Sequence, residues 1–151
     1  MASLQIRTRP FGEITIDDRQ ILRFPWGLFG FETMEQFALL DSGQPPLYWL
    51  QSLDKPDLAF VVMDPQLVRP DYQLDVSPDE LSALGFTDSQ PDALVLAICT
   101  VPGNPRDMTI NLQGPLVINR DARLGRQVIN TSPSWQVRHR IVDEVAGKRA
   151  C

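Results

Sequence analysis

Catalysis and metal binding need particular side chains at particular spacings, and this chain supplies few of them. Its single histidine, His139, lies in Val137-Arg138-His139-Arg140-Ile141. A Ser-His-Asp site would need that histidine beside a nucleophile held on a strained turn, and no Gly-x-Ser-x-Gly occurs. One histidine and two distant cysteines, Cys99 and Cys151, do not make a zinc site. Carboxylates are plentiful at Asp54, Asp57, Asp64, Asp71, Asp75, Asp79 and Glu80. Their spacing is not that of a calcium loop, which places oxygen ligands on alternate residues around a glycine. Several flank prolines, where an aspartate ordinarily accepts bonds from turn N–H groups. Gly27 and Gly30 lack the Lys-Ser/Thr of a phosphate loop. Arg120, Arg123, Arg126, Arg138, Arg140, Lys148 and Arg149 gather late in the chain, without the interleaved aromatics of an RNA-binding sheet. No catalytic residue, metal or cofactor is therefore expected. The alternative is a small sugar-binding or hydrolytic β-barrel domain that uses Trp26, Trp49 and Trp135 with His139.

The stretch that stands out is Phe24-Pro25-Trp26-Gly27-Leu28-Phe29-Gly30-Phe31-Glu32. Two glycines and a proline this close together exclude a helix, and Trp26, Leu28, Phe29 and Phe31 break the period of two that a strand requires. The segment reads as a loop of unusual backbone shape with a large apolar content, since each aromatic side chain buries about 150–250 Å². Such a loop fills the open end of a core or docks onto a partner. Phe24, Phe29 and Phe31 suit the first role. Trp26, between proline and glycine, suits the second, as an exposed anchor. Trp26→Ala is then expected to leave the melting temperature nearly unchanged while weakening a complex.

The elements around this loop are short and extended. The chain has 151 residues, 43% hydrophobic and 22% charged, enough for one domain with a core. Thirteen prolines, widely spread, exclude a helical bundle. Strands are predicted over residues 12–16, 20–24, 47–51, 58–63, 92–101, 108–112, 116–119 and 127–131, separated by turn signals. One helix is well marked at residues 77–84, with Ser77 as cap, Pro78 at its first position, Glu80 three residues on as a capping box, and Gly85 as the stop. Leu81 and Leu84 would face the sheet. A further helical turn is predicted at residues 32–37. The fold class is mainly β: a single small antiparallel β-barrel or sandwich-like domain with one or two short helices, over residues 1–142, followed by a flexible tail at 143–151. The net charge of −5 disfavours direct nucleic-acid binding. No apolar run approaches the ~18 residues of a membrane span, and two unpaired cysteines fit the cytoplasm.

The ordered series of motifs resembles the FliW family of bacterial flagellar assembly factors. It comprises Thr8-Arg9-Pro10-Phe11-Gly12-Glu13-Ile14, the loop Phe24 to Glu32, Trp49-Leu50-Gln51-Ser52, and Leu58-Ala59-Phe60-Val61-Val62 with Asp64-Pro65. It continues through Pro70-Asp71-Tyr72, Leu94-Val95-Leu96-Ala97-Ile98, Met108-Thr109-Ile110-Asn111-Leu112-Gln113-Gly114-Pro115-Leu116-Val117-Ile118-Asn119 and Gly125-Arg126-Gln127-Val128-Ile129. The resemblance implies a barrel-like, non-enzymatic cytoplasmic protein, a monomer when free, with two exclusive partners. One is flagellin, bound at its C-terminal region before export. The other is CsrA, a dimeric translational repressor of flagellin synthesis, which the freed protein antagonises. Trp26 departs from the small or acidic residue common there in the family. The candidate partner-binding residues are Trp26 and Phe29 in the loop; Asp64, Asp71 and Tyr72 as an acidic rim; Asn111 and Asn119 as amides flanking Gly114-Pro115; and Arg123 as a cation in the turn at 120–125.

Overall fold

The computed structural model describes residues 2–86 and 93–150. Apolar residues too short in run to form helices instead form a ring of strands. In chain order these are β1 (Ser3–Thr8), β2 (Gly12–Asp17), β3 (Ile21–Arg23), β4 (Gln36–Asp41), β5 (Tyr48–Ser52), β6 (Ala59–Met63), β7 (Leu94–Thr100), β8 (Thr109–Ile110), β9 (Leu116–Asn119), β10 (Leu124–Gln127) and β11 (His139–Arg140). The hydrogen-bonded order β7-β6-β5-β4-β3-β10-β9 closes on itself, because Leu94, Val95 and Leu96 of β7 pair with Ile118, Val117 and Leu116 of β9. Closure removes the open edges that a flat sheet of this composition would expose. All seams are antiparallel except β3–β10, which is parallel at Arg23 and Leu124. Further along, β7 leaves β9 and pairs with β8, which pairs in turn with β11, so the barrel flares at that end. The mainly β expectation holds, with this one parallel seam added.

The barrel interior is filled by Leu22, Phe24, Leu28, Phe37, Leu50, Val62, Leu96, Leu116 and Ile118. Three smaller clusters cover its outside. The β1–β2 hairpin places Ile6 and Ile16 on Ala38 and Leu40 of β4. Helix α1 (Pro78–Ser82) places Leu81, and just beyond it Leu84, on Val117 and Val128, as their spacing predicts. The flared end gathers Met63, Val68, Tyr72, Ala97, Cys99, Ile110, Leu112 and Trp135.

Several local expectations are corrected. Ser77 caps α1 by accepting from the Asp79 N–H, one residue short of Glu80, and Glu80 makes no return bond, so the predicted capping box does not form and a simple N-cap takes its place. Gly85 stops the helix at φ +89°. Residues 32–37 are not helical: residues 32 and 33 form a turn, and Gln36 and Phe37 already belong to β4. The strand predicted at 127–131 lies earlier, at Leu124–Gln127. The strand predicted at 92–101 is β7, and Asp92 lies outside the described residues. Residues 141–150 form helix α2 (Ile141–Ala150), so the boundary expected between body and tail falls inside a helix; Cys151 lies outside the described residues. Arg69 and His139 both bond Glu144, at 2.9 and 2.7 Å, and tie the first turn of α2 to the barrel.

Candidate functional site

The aromatic loop runs from the end of β3 to the start of β4 and lies across one mouth of the barrel. Phe24 and Leu28 point inward and are fully buried. Phe24 packs edge-on against Phe37 with ring centroids 5.5 Å apart. Gly125 on β10 makes room for that ring: a Cβ there would stand 2.6 Å from two of its carbons. Trp26, Phe29 and Phe31 point outward, 43%, 51% and 38% exposed. The loop is thus both stopper and surface, divided residue by residue, and Phe29 and Phe31 are not the core residues expected. The division follows from Gly27, whose φ of +65° turns the chain between Trp26 and Leu28.

A set of short bonds holds this shape. Phe24 N–H donates to the Glu35 carbonyl at 2.6 Å and Gly27 N–H to the Phe24 carbonyl at 2.8 Å. Leu28 and Phe31 pair across the loop tip, and Met34 N–H returns to the Phe31 carbonyl at 3.1 Å. The Glu32 carboxylate accepts from Gly30 N–H at 3.2 Å. From the neighbouring strand β10, the buried Gln127 side chain accepts from Phe29 N–H at 2.8 Å and donates to the Gly114 carbonyl at 2.9 Å. Arg126 lays its guanidinium 4.3 Å from the Trp26 ring centre, and its Nε lies 4.0 Å from Glu80. An exposed cation–π pair of this kind is worth about 0.5–1 kcal/mol. Arg126 and Gln127 are the residues that sequence reasoning missed. They lie about a hundred positions from the loop, and although they fall in a matching motif, nothing local ties that motif to the loop.

The other candidates are scattered. Tyr72 does not belong to an acidic rim: it is 2% exposed, its hydroxyl donates to the Leu112 carbonyl at 2.8 Å, and its ring lies 4.9 Å from Trp135. Burial pushes its phenol up to about 12. Asp71 is exposed but forms a two-pronged pair with Arg69, the shorter arm 2.7 Å, and that guanidinium holds its carboxyl below the usual range. Asp64 accepts from Gln66 N–H and opens a 3-10 turn. Asn111 accepts from the N–H groups of Gln113 and Gly114, and Asn119 joins the Leu84 carbonyl to the Ala122 N–H. Arg123 is exposed with φ +54° and donates to the Asp18 carbonyl at 3.0 Å. Asp64 and Tyr72 line one cavity of about 400 Å³ together with Gln66 and Arg120; apart from that pair, and from Trp26 with Phe29, the candidates do not assemble into one site.

The three indoles do not share a face either. Trp135 is in the flared-end core, Trp49 packs under the β1–β2 hairpin, and Trp26 lies on the loop. Both nitrogens of His139 are engaged: Nε2 accepts from Gln136 N–H at 2.8 Å, which places the ring proton on Nδ1, facing Glu144. Burial raises the Glu144 carboxyl, but the bonds from His139 and Arg69 outweigh it and hold the group below its usual value. Cys99 is buried and its thiol is pushed up to about 12. No group of His, Cys, Asp and Glu with metal-binding geometry occurs among the described residues. No helix among them is long and apolar enough to cross a membrane.

The molecule is a small closed β-barrel stoppered at one mouth by its own aromatic loop. The FliW protein family profile matches residues 5–141. The flagellar assembly factor FliW of Treponema denticola is 42% identical over 94% of this chain and 96% of its own length. That of Treponema pallidum is 42% identical over 97% of each, and that of Leptospira interrogans 41% identical over 95% and 96%. A crystal structure of the flagellar assembly factor FliW superposes with a TM-score of 0.83 at 38% identity, covering 91% of this chain and 96% of that one. The chain belongs to the FliW family.

Proposed function

We propose that this chain serves flagellar assembly in the cytoplasm by binding two proteins in turn. It holds flagellin at its C-terminal region before export. Once released, it binds CsrA and relieves repression of flagellin synthesis. It acts as a non-enzymatic monomer. The observation that carries this reading is the family match over residues 5–141, with relatives named as flagellar assembly factors aligned along nearly the full chain.

The charge distribution supplies a mechanism. An acidic body docked beside a basic RNA-binding surface repels phosphate without covering that surface. Asp54, Asp57 and Asp64 are exposed and form no ion pair with a described residue, whereas Asp71 is paired with Arg69. Changing Asp54, Asp57 and Asp64 together to Asn is expected to weaken CsrA antagonism more than flagellin binding. Equal losses would remove the electrostatic account. The reading as a whole is tested with the immobilised protein and purified flagellin and CsrA from the same cell. Each should bind, and each should displace the other. Failure of both to bind would overturn it.

A further inference from the structure

Exposed aromatic rings on a rigid backbone are unusual on a soluble surface unless something covers them. Trp26, Phe29 and Phe31 are such rings, and the bonds to Glu35, Phe24, Leu28 and Gln127 fix the backbone that carries them. Phe31 is steadied edge-on by Phe60, with centroids 5.3 Å apart, and Trp26 by Arg126. Three exposed carboxylates, Glu32, Glu35 and Asp54, lie at the loop against two exposed cations, Arg23 at its base opposite Gln36 and Lys55 beside Asp54. Glu32 and Glu35 are exposed on the loop itself, and exposed Asp54 reaches it by accepting from the N–H groups of Glu35 and Gln36 at 2.8 and 3.0 Å. No described lysine or arginine forms an ion pair with these three, whereas Asp17, Asp71, Asp107, Asp143, Glu80 and Glu144 each have one. Nearby Arg126 is engaged between Trp26 and Glu80, and Lys55 next to Asp54 forms no ion pair among the described residues.

We propose that the outer face of the 24–35 loop is the docking surface for a short protein segment whose apolar side chains are flanked by lysine or arginine. The apolar side chains cover Phe29 and Trp26, and the flanking cations meet Glu32, Glu35 and Asp54. Tryptophan, phenylalanine and arginine on a fixed scaffold form the kind of centre that carries most of an interface's affinity. Because the loop is already ordered, little conformational entropy is lost on docking. A second copy of the chain fits poorly, since a two-fold contact would bring the same carboxylates face to face. Nucleic acid is opposed by the same charges.

This inference rests on the function proposed above, and the experiment separates the two. Affinities for flagellin and for CsrA are measured by calorimetry with the wild type and two variants. One combines Trp26→Ser with Phe29→Ser. The other combines Glu32→Gln with Glu35→Gln, which removes charge while keeping an acceptor for Gly30 N–H. The aromatic variant is expected to weaken at least one partner by about thirtyfold or more. The glutamine variant is expected to weaken the same partner and flatten its salt dependence. If the wild type binds neither protein, the functional reading itself fails. If it binds and both variants bind equally well, only the docking surface is overturned. Should the aromatic variant not fold, the glutamine variant decides alone. A wild-type dimer in sedimentation that the aromatic variant dissolves would make the face a self-contact and also overturn the proposal.

Discussion

Gly27 and Gly30 sit three residues apart in one loop, both with positive φ, +65° and +87°. Their surroundings differ, and this makes a controlled pair. A Cβ on Gly30 would meet nothing within 4 Å. A Cβ on Gly27 would stand 2.5 Å from the Glu32 Cα, 2.5 Å from the Phe31 carbonyl oxygen and 2.6 Å from the Glu32 carbonyl carbon. Those are backbone atoms, held by the bonds from Phe31 to Leu28 and from Met34 to Phe31 at 2.7 and 3.1 Å, so the clash is relieved only if the loop moves. Replacing either glycine by alanine reduces unfolded-chain entropy equally, and that contribution cancels between the two. Gly30→Ala then costs the left-handed backbone alone, about 1–2 kcal/mol. Gly27→Ala adds overpacking of about 1–3 kcal/mol. At roughly 3 °C per kcal/mol for a domain of this size, melting temperatures should fall by about 3–6 °C and about 6–15 °C respectively. Scanning calorimetry and urea unfolding measure both. Equal losses, or a larger loss for Gly30→Ala, would refute the assignment of Gly27 as the residue that turns the loop.

Tyr72→Phe removes a buried hydroxyl from the Leu112 carbonyl and should cost about 1–2 kcal/mol in urea unfolding; a neutral result would show that water replaces the bond. Gln127→Leu leaves the Phe29 N–H and Gly114 carbonyl without their partner, so a loss of about 1–3 kcal/mol is expected, with faster amide exchange at Phe29 as the specific readout. Glu144 has a folded-state pKa below its ordinary 4.5, so its stabilising contribution is fully present above that value and is lost as pH falls through the lowered one. Glu144→Gln should therefore be roughly 1–2 kcal/mol less stable than wild type at neutral pH, with the gap closing in acid. A gap that stays constant down to the acid transition would count against the carboxylate's role.

The apolar runs that became β6, β7 and β9 were legible because residues buried on both faces show as continuous hydrophobic stretches. Strand β1 was not legible, because only Ile6 and Thr8 of its six residues turn inward and the rest look like a polar terminus. Strand β4 was obscured by Glu32, Met34, Glu35 and Gln36, which favour helix locally but are claimed by the loop and by Asp54. Strand β10 hid because its Gly125 is chosen for the Phe24 ring and its Gln127 for the Phe29 N–H, and neither residue reads as strand. The loop's importance was visible in its composition, but its split between inward and outward rings was not. That split depends on one glycine torsion and on contacts about a hundred residues away. Tyr72 was misplaced for a similar reason: its neighbours in sequence are polar, while its neighbours in space, Trp135 and Leu112, lie 40 or more residues further along the chain.

The parallel seam between β3 and β10 has a temporal meaning. The strand that leads into the aromatic loop is made about a hundred residues before the strand that closes the barrel beside it and the glutamine that fastens Phe29. Contacts of such long sequence separation form late, because the loop they close must be ordered first. A growing chain therefore carries its aromatic residues over that whole interval without the scaffold that sorts them into stopper and surface. The outward face comes into being only once β10 has been made, so the sorted surface is a property of the closed barrel and not of the nascent loop.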